Sequence, residues 1–257
     1  MNAIDPIESI IINSLREMEI KERVRVLHAV ESGSRAWGFA SRDSDFDVRF
    51  IYVREQEFYL RLNKSRDVIE WRLDETLDIN GWDLQKTLRL LHNSNPTLFE
   101  WANSPIVYIT TPEWDTIKTC FPSYFLTKPG IYHYLSMAER NYREYLKRDI
   151  VIVKKYLYVL RPILACKWIL EKQSPPPMMF SELVASEADS ELAQEIGRLL
   201  ELKTHLPERE EMPRIEPLNI FIDKMLPLLK EQVDALPKVK SMGYDELNHL
   251  FLKILKL

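Results

Sequence analysis

Two aspartates one residue apart stand at the start of an apolar run, and this pattern constrains the chain more than any other. Residues 24–30 and 48–53 have the length and the β-branched content of buried strands. Because successive side chains of a strand point to opposite faces, Asp45 and Asp47 should share one face, with Arg49 next along it. The apolar side chains between them should point the other way.

Two carboxylates on one face of a strand are costly unless a cation neutralises them. Magnesium prefers oxygen ligands and is typically held by one or two carboxylates together with the phosphates of a substrate. An isolated Asp-x-Asp is also common in solvated loops, but here it follows an apolar strand, a Gly-Ser pair and ten further residues. This order predicts that Asp45 and Asp47 bind Mg²⁺, with Mn²⁺ as a substitute.

The Gly-Ser pair lies at the end of the first predicted strand. A glycine there lets the backbone come close to an anion, and the turn offers N–H groups and a hydroxyl to phosphate oxygens. A Gly-Ser pair alone is a common turn, so the prediction depends on the aspartates that follow. We expect Gly33, Ser34 and the adjacent Arg35 to bind the phosphates of a nucleotide.

Four segments of the chain form a recognisable set. They are Gly33-Ser34-Arg35-Ala36-Trp37-Gly38, the run from Asp45 to Tyr52, the run from Asp78 to Leu84, and Tyr158-Val159-Leu160-Arg161-Pro162. The Gly-Ser pair with its two aspartates resembles the signature of the nucleotidyltransferase superfamily to which DNA polymerase beta belongs. More narrowly, the four segments together resemble the predicted nucleotidyltransferases of the RNA-repair-pathway branch, often discussed as RNA-ligase-associated polymerases. The resemblance runs from about residue 24 to about residue 172.

The resemblance implies a third carboxylate on a neighbouring strand, which completes the metal site and can take the proton from the attacking hydroxyl. Asp78, between two apolar residues of a predicted strand over 76–80, matches that position. Asp83 is the rival candidate, although it also precedes an amphipathic run and makes a natural helix N-cap. We favour Asp78 as the third catalytic and metal-binding residue, beside Asp45 and Asp47.

The chain should divide into two domains. A small mixed-sheet nucleotidyltransferase domain is expected over residues 1–128, followed by a helical domain over 129–257 that closes the nucleotide cleft. The boundary is placed at Pro129-Gly130, which is typical of a hinge. No strand-like alternation follows it, so the predicted fold class is α+β with an all-helical C-terminal part, including helices over 131–147 and 150–172.

Three residues of the second predicted helix form a candidate nucleotide contact. Lys154, Tyr158 and Arg161 are four and three residues apart, which puts them along one stripe of a helix. Such a stripe could bind a triphosphate and stack on a base, and Arg140 and Arg143 could add positive charge. A solvated helical face is the alternative interpretation.

Composition excludes several other classes of protein. The net charge of −4 argues against a generally basic nucleic-acid-binding surface but leaves room for a local one. Cys120 and Cys166 are not spaced as metal ligands, so neither a zinc site nor a disulfide framework is expected. No run approaches the roughly 20 apolar residues that cross a bilayer, and no signal peptide precedes the first helix. We therefore expect a soluble cytoplasmic protein without a membrane partner.

These observations lead to one leading hypothesis and its alternatives. The leading hypothesis is a metal-dependent nucleotidyltransferase that binds ATP or another nucleoside triphosphate, transfers NMP to an acceptor hydroxyl and releases pyrophosphate. The resemblance suggests an RNA 3′ end as the acceptor. A protein hydroxyl, as in AMPylating enzymes, or a small molecule would use the same donor chemistry. A nucleotide-binding module without catalytic activity is the non-enzymatic alternative.

Overall fold

Contacts divide the chain into two compact units. A computed structural model of the chain describes residues 6–41, 44–63, 65–73, 76–205 and 210–256. The first unit holds the described residues within 1–36, 44–124 and 241–257, and the second holds those within 37–43 and 125–240. The last helix thus belongs to the first unit, and a short loop near the start belongs to the second. The functional division into domains over 1–128 and 129–257 stays a prediction.

The strands form one mixed sheet and one small antiparallel pair. The five-stranded sheet has the order β3-β4-β2-β1-β5, in which β2 and β4 are parallel and the other neighbours are antiparallel. The strands of the described residues are β1 (Val24–Glu31), β2 (Phe46–Arg54), β3 (Val68–Leu73), β4 (Leu77–Asp83), β5 (Val107–Thr110), β6 (Ile150–Ile152) and β7 (Glu211–Pro213).

Helices make up most of the remaining chain. A π-helical turn, Tyr142–Leu146, follows α8, and a 3₁₀ turn, Val153–Tyr156, precedes α9. The α-helices of the described residues are α1 (Pro6–Glu22), α2 (Gly33–Ala36), α3 (Gln56–Tyr59), α4 (Leu84–His92), α5 (Pro96–Ala102), α6 (Pro112–Lys118), α7 (Phe121–Tyr124), α8 (Thr127–Asn141), α9 (Leu157–Lys172), α10 (Phe180–Glu187), α11 (Ser190–His205), α12 (Glu216–Ala235) and α13 (Asp245–Leu255).

The core of the first unit explains which way β2 faces. Helix α1 buries one apolar stripe, including Ile11 and Leu15, against the face of the sheet that carries Val48 and Phe50. Since side chains alternate along a strand, the residues between these two must point to the opposite face. The predicted alternation of β2 is confirmed, and Asp47 lies on the face away from α1.

The second unit is helical, as predicted, except for one short pair of strands. The helix expected over 150–172 begins only at Leu157, because Ile150–Ile152 is a strand that pairs with Glu211–Pro213. The apolar residues of this segment fit a strand as well as a helix, and their pairing partner lies far along the chain. The α+β fold class with a helical C-terminal part is confirmed.

Two further observations bear on the sequence-based expectations. Cys120 and Cys166 are free and buried. Over the described ranges, every helix is too short or too polar to cross a lipid bilayer.

Candidate active site

The parallel pairing of β2 with β4 places two of the three predicted acids opposite each other. Asp47 and Asp78 are direct partners in the register of these strands. Both side chains are about one-third exposed, and both point away from the core under α1. Asp45 lies just before β2 begins and is exposed to solvent. The structure therefore brings Asp47 and Asp78 together. Asp45 lies outside this pair, one residue before β2 begins.

Arg49 joins the two carboxylates. Its Nη2 donates to Asp47 Oδ1 at 2.9 Å and to Asp78 Oδ2 at 2.7 Å. Its Nη1 donates to the backbone carbonyls of Val48 at 3.1 Å and Asp78 at 3.0 Å. Alternation predicted that Arg49 shares the face of Asp47, but the bridge to Asp78 depends on the β2–β4 pairing, which a local pattern does not specify.

Burial and the neighbouring acids make the ionised form of the Asp47 carboxyl unfavourable. Burial raises the pKa of the Asp47 carboxyl above its ordinary value, and the charges of Asp78 and Asp45 raise it further, while Arg49 acts in the opposite direction. A further cation at this carboxylate would favour its ionised form.

Glu31 supports the site through a hydrogen bond to the backbone of Asp47. Sequence reasoning did not identify this residue. Its side chain is fully buried at the end of β1, where Oε1 accepts the backbone N–H of Asp47 at 2.8 Å. Oε2 accepts the hydroxyl of Tyr108 at 2.5 Å. Burial raises the pKa of Glu31, and these two donors partly offset that effect. The available signal in the sequence was an acid at the end of a mostly apolar strand, directly before Ser32-Gly33.

Gly33 lies directly against the Asp47 carboxylate. Its φ of +60° is in the left-handed region, and a Cβ at this position would overlap Asp47 Oδ2. Ser34 follows in α2 and is buried. The Gly-Ser turn therefore contacts Asp47, and the phosphate-binding roles of Gly33 and Ser34 stay predictions.

Arg35 contacts the chain itself. Its guanidinium donates to the Ser44 carbonyl at 2.7 Å and to the Asp45 carbonyl at 3.2 Å. The central guanidinium carbon, Cζ, lies 3.6 Å from the centre of the Phe46 ring. These contacts fix the segment that leads into β2. The predicted phosphate contact of Arg35 is not among them and stays a prediction.

Asp83 acts as the N-cap of α4. It lies on the face of β4 opposite to Asp78, because the two residues are an odd number of positions apart. Its Oδ1 accepts the backbone N–H of Gln85 at 2.7 Å, and its Oδ2 accepts the Tyr59 hydroxyl at 2.8 Å. Burial raises the pKa of this carboxyl. The geometry therefore places Asp78, and not Asp83, beside Asp47.

The three predicted nucleotide contacts of the second unit do not form a stripe on one helix. Lys154 lies in the 3₁₀ turn, before α9 begins. Arg161 is almost completely buried, with its guanidinium 4.5 Å from the Trp37 ring and Nη2 3.2 Å from the Met178 carbonyl. Tyr158 packs edge-on against the same Trp37. Arg161 thus supports the packing around Tyr158, and the nucleotide-binding roles of the three residues stay predictions.

Two of the described acids of the first unit are placed as a pair of metal ligands. No group of three His, Cys, Asp or Glu side chains within the described part of the chain is arranged to hold a metal ion. Asp47 and Asp78 nevertheless direct one oxygen each at the same cationic atom, Arg49 Nη2. Mg²⁺ is usually held by one or two carboxylates together with substrate phosphates. The pair fits a hard divalent cation, and the contribution of Asp45 stays a prediction.

A family model that matches nearly the whole chain agrees with the sequence resemblance. The sequence model of RlaP, described as the RNA repair pathway DNA polymerase beta family, matches residues 7–253. The chain is 44% identical over 246 residues to the uncharacterized protein YcgL of Bacillus subtilis strain 168, and the match covers 94% of each protein. A crystal structure of a nucleotidyltransferase-like protein from Exiguobacterium sibiricum 255-15 aligns with a TM-score of 0.35 and 14% identity, over 95% of this chain and 87% of that chain.

Proposed function

This chain belongs to the RNA repair pathway DNA polymerase beta family, and from that premise we propose that it transfers NMP from a nucleoside triphosphate to the 3′ hydroxyl of an RNA. Nucleotidyl transfer in general follows from the family. The metal dependence, the triphosphate donor and the RNA acceptor are our proposals, and each needs its own support.

The observation that carries the donor chemistry is the pairing of Asp47 with Asp78 beside Gly33. Two carboxylates from parallel strands direct their oxygens at one cationic atom, and Gly33 lets the backbone of the Gly-Ser turn lie against Asp47. A glycine turn that approaches an acidic pair without a Cβ suits a triphosphate bound together with a cation.

In the proposed reaction the acceptor oxygen attacks the α-phosphorus of the triphosphate. A bond forms between that oxygen and phosphorus, and the bond from the α-phosphorus to the bridging oxygen breaks. Pyrophosphate leaves with the electron pair, and Asp78 takes the proton of the acceptor hydroxyl. Gly33 and Ser34 hold the β- and γ-phosphates in line with the attack.

Asp47 on β2 and Asp78 on β4, together with Asp45 just before β2, are the residues that would hold Mg²⁺ or Mn²⁺. When bound, such a cation offsets the negative charge that develops on the attacking and leaving oxygens. The raised pKa of Asp47 is consistent with this assignment, because a nearby cation would relieve the cost of its buried charge.

Four exposed cations on the second unit support an RNA acceptor. The side chains of Arg140, Arg143, Lys147 and Arg148 are all exposed. Within the described part of the chain, none of them forms an ion pair with an Asp or a Glu. Cations that lack an acidic partner favour a polyanion as the ligand. The family description, which names RNA repair, points to the same acceptor.

A nucleotide-binding module without turnover is the second candidate. It is favoured by one observation, the lack of an assembled set of three acids among the described residues. Nucleotide binding without pyrophosphate release, with every triphosphate and acceptor tried, would support this candidate over the enzyme.

Transfer from labelled triphosphates tests the proposal. Each of the four triphosphates, labelled on the α-phosphate, is mixed with Mg²⁺ and with RNA that ends in a 3′ hydroxyl. We expect label on the RNA with the wild-type chain. With Asp47→Asn we expect a loss of ~1,000-fold or more, the scale seen when one member of a catalytic group is removed.

The matched control is Asp67→Asn, which removes an exposed acid of the same unit that pairs with Lys86. This variant should label RNA like the wild-type chain. Equal labelling by Asp47→Asn and the wild type would refute the proposed site. Label on protein or on a small molecule, with none on RNA, would refute the proposed acceptor alone.

A further inference from the structure

Arg49 is the cation that the carboxylates of β2 and β4 share. One nitrogen, Nη2, lies within 3 Å of an oxygen of Asp47 and an oxygen of Asp78. The guanidinium side chain is 18% exposed, less than either acid that it contacts. A charge-assisted hydrogen bond to a partly buried carboxylate is stronger than one in open solvent. The two acids are therefore held at one point by a single side chain.

The contacts of Arg49 also fix the backbone of both strands. Its second nitrogen, Nη1, donates to the carbonyls of Val48 on β2 and Asp78 on β4. Four acceptors from two strands thus surround one planar guanidinium. A lysine carries the same charge but a single donor nitrogen, and it could not satisfy this planar arrangement.

Arg49 and a divalent cation would use the same carboxylate oxygens. Mg²⁺ binds oxygen ligands at about 2.1 Å. A cation placed between Asp47 Oδ1 and Asp78 Oδ2 would therefore lie against Nη2 and repel it. A triphosphate supplies anionic oxygens to which a displaced guanidinium can bind, often in a bidentate manner.

We propose that Arg49 is a positioning residue that keeps Asp47 and Asp78 together, competes with a divalent cation for their oxygens, and makes cation binding depend on a triphosphate. In this arrangement the cation enters together with the triphosphate, whose phosphates become the new partners of Arg49. The inference rests on the proposed function for the identity of the anion, and the competition itself is independent of turnover. Linkage requires the effect to be reciprocal, so the cation also strengthens triphosphate binding.

Binding of Mn²⁺ to the full chain without nucleotide, followed by electron paramagnetic resonance, tests the competition. We expect Arg49→Gln to bind Mn²⁺ about tenfold or more tightly than the wild type, because a repelling charge has been removed next to the site. Arg49→Lys keeps the charge but loses the planar contacts, so it should bind Mn²⁺ less tightly than Arg49→Gln does. Asp47→Asn should lose the Mn²⁺ site, which locates the measured binding.

The matched control is Arg25→Gln. Arg25 lies on β1 of the same sheet and pairs with Glu113 through an exposed salt bridge, so its loss changes the net charge equally. The control should bind Mn²⁺ like the wild type. If Arg49→Gln binds Mn²⁺ no more tightly than Arg25→Gln, or if Arg49→Lys binds it as tightly as Arg49→Gln, the competition is refuted.

A second measurement uses the wild-type chain and does not depend on whether Arg49→Gln folds. The Nε–Hε signal of Arg49 in a ¹⁵N spectrum, assigned by its loss in Arg49→Lys, is followed during titration with Mg²⁺. The titration is done once with Mg²⁺ alone and once with Mg²⁺ and an α,β-methylene triphosphate. At the same Mg²⁺ concentrations, we expect the Arg49 signal to stay in place with Mg²⁺ alone and to shift strongly when the analogue is present. Equal shifts with and without the analogue, or none in either, would overturn the inference.

The outcomes separate this inference from the proposed function. A chain that shows the expected Mn²⁺ affinities and Arg49 shifts, but labels no acceptor, keeps the inference and loses the enzyme. A chain that labels RNA while Arg49→Gln leaves the affinity for Mn²⁺ unchanged keeps the enzyme and loses the inference.

Discussion

Gly33 occupies a position that no other residue can fill without a cost. Its φ is positive, and an added Cβ would overlap the Asp47 carboxylate. The left-handed conformation alone costs a non-glycine residue about 1–2 kcal/mol, and the overlap adds to that cost. The same glycine therefore determines the backbone turn and the position of the carboxylate.

Gly33→Ala should lower the free energy of unfolding by about 1–3 kcal/mol and should also reduce nucleotidyl transfer, because Asp47 must move. The control is Gly197→Ala in α11, where an added Cβ meets no atom within 4 Å. That change should be neutral or stabilising by up to ~1 kcal/mol. Urea unfolding and label transfer measure the two effects, and a fully stable and active Gly33→Ala would contradict the close approach.

His28 makes the stability of the first unit depend on pH. Its ring is buried in β1 and stacked on Trp114 at a centroid distance of 4.5 Å. Burial is the largest cause of the shift in the pKa of His28, which is lowered from 6.5 to about 4. As the pH falls, the unfolded state binds the proton first. Stability from neutral His28 is therefore complete above pH 6.5 and is lost as the pH falls toward 4.

His28→Phe keeps a ring against Trp114 and removes this titration. Between pH 7 and pH 5, the wild-type chain should lose about 2 kcal/mol of unfolding free energy more than His28→Phe does. His249→Gln, at an exposed position of α13, is the control and should behave like the wild type. Urea titrations at the two pH values measure the difference, and parallel losses in wild type and His28→Phe would show that His28 does not carry the effect.

Local sequence predicted some side-chain positions and missed others for a definite reason. The alternation of a strand was enough to place Asp47 and Arg49 on one face. It could not predict that Arg161 would be buried, because its partners, Trp37 and Met178, come from distant parts of the chain. A charged residue in an apolar helix signals either a solvated stripe or a buried contact, and only the packed structure distinguishes them.

Elements with one clear periodicity were predicted well, while elements that depend on distant pairing were not. Helix α1, Pro6–Glu22, is specified locally by an apolar stripe and by a proline at its first turn. Strand β6 was expected to be helix, since Ile150–Ile152 becomes a strand only by pairing with Glu211–Pro213. An apolar run of this length is compatible with either structure.

The start of α4 offers a test at the same scale, because Asp83 caps this helix and also binds the Tyr59 hydroxyl. Asp83→Ala removes both acceptors and should lower the free energy of unfolding by about 1–3 kcal/mol. Asp83→Asn keeps a good N-cap and should cost less. Both variants should transfer nucleotide like the wild type once folded.

Thermal unfolding and label transfer, measured on the same preparations, check this prediction. If folded Asp83→Asn loses transfer while Asp78→Asn retains it, Asp83 would be the third catalytic acid. The geometry around Asp47 would then need a different explanation.

The charge of the whole chain is not evenly distributed. The net charge is −4, yet residues 140–148 contain four cations and one acid. Elsewhere many exposed cations pair with acids, as Arg66 does with Glu70 and Lys172 with Glu171. The positive segment, which includes the π-helical turn at Tyr142–Leu146, is therefore a local exception in an acidic molecule.

An RNA bound through this segment should be released steeply by salt. The logarithm of affinity for single-stranded RNA should fall with the logarithm of salt concentration, by about 0.7 for each phosphate that is neutralised. Replacing Arg140, Arg143 and Arg148 together by Gln should weaken binding at low salt and reduce the slope by about 2. Gel-shift titrations at several salt concentrations measure both quantities.

The matched control removes three exposed cations that already have acidic partners, namely Arg66, Lys172 and Arg198. Replacing these by Gln changes the net charge by the same amount, so an effect of overall charge would appear in both triple variants. We expect the control to keep the wild-type slope, because its lost cations were neutralised within the protein. Equal slopes in the two triple variants, or affinity that does not change with salt, would exclude this segment as the RNA contact.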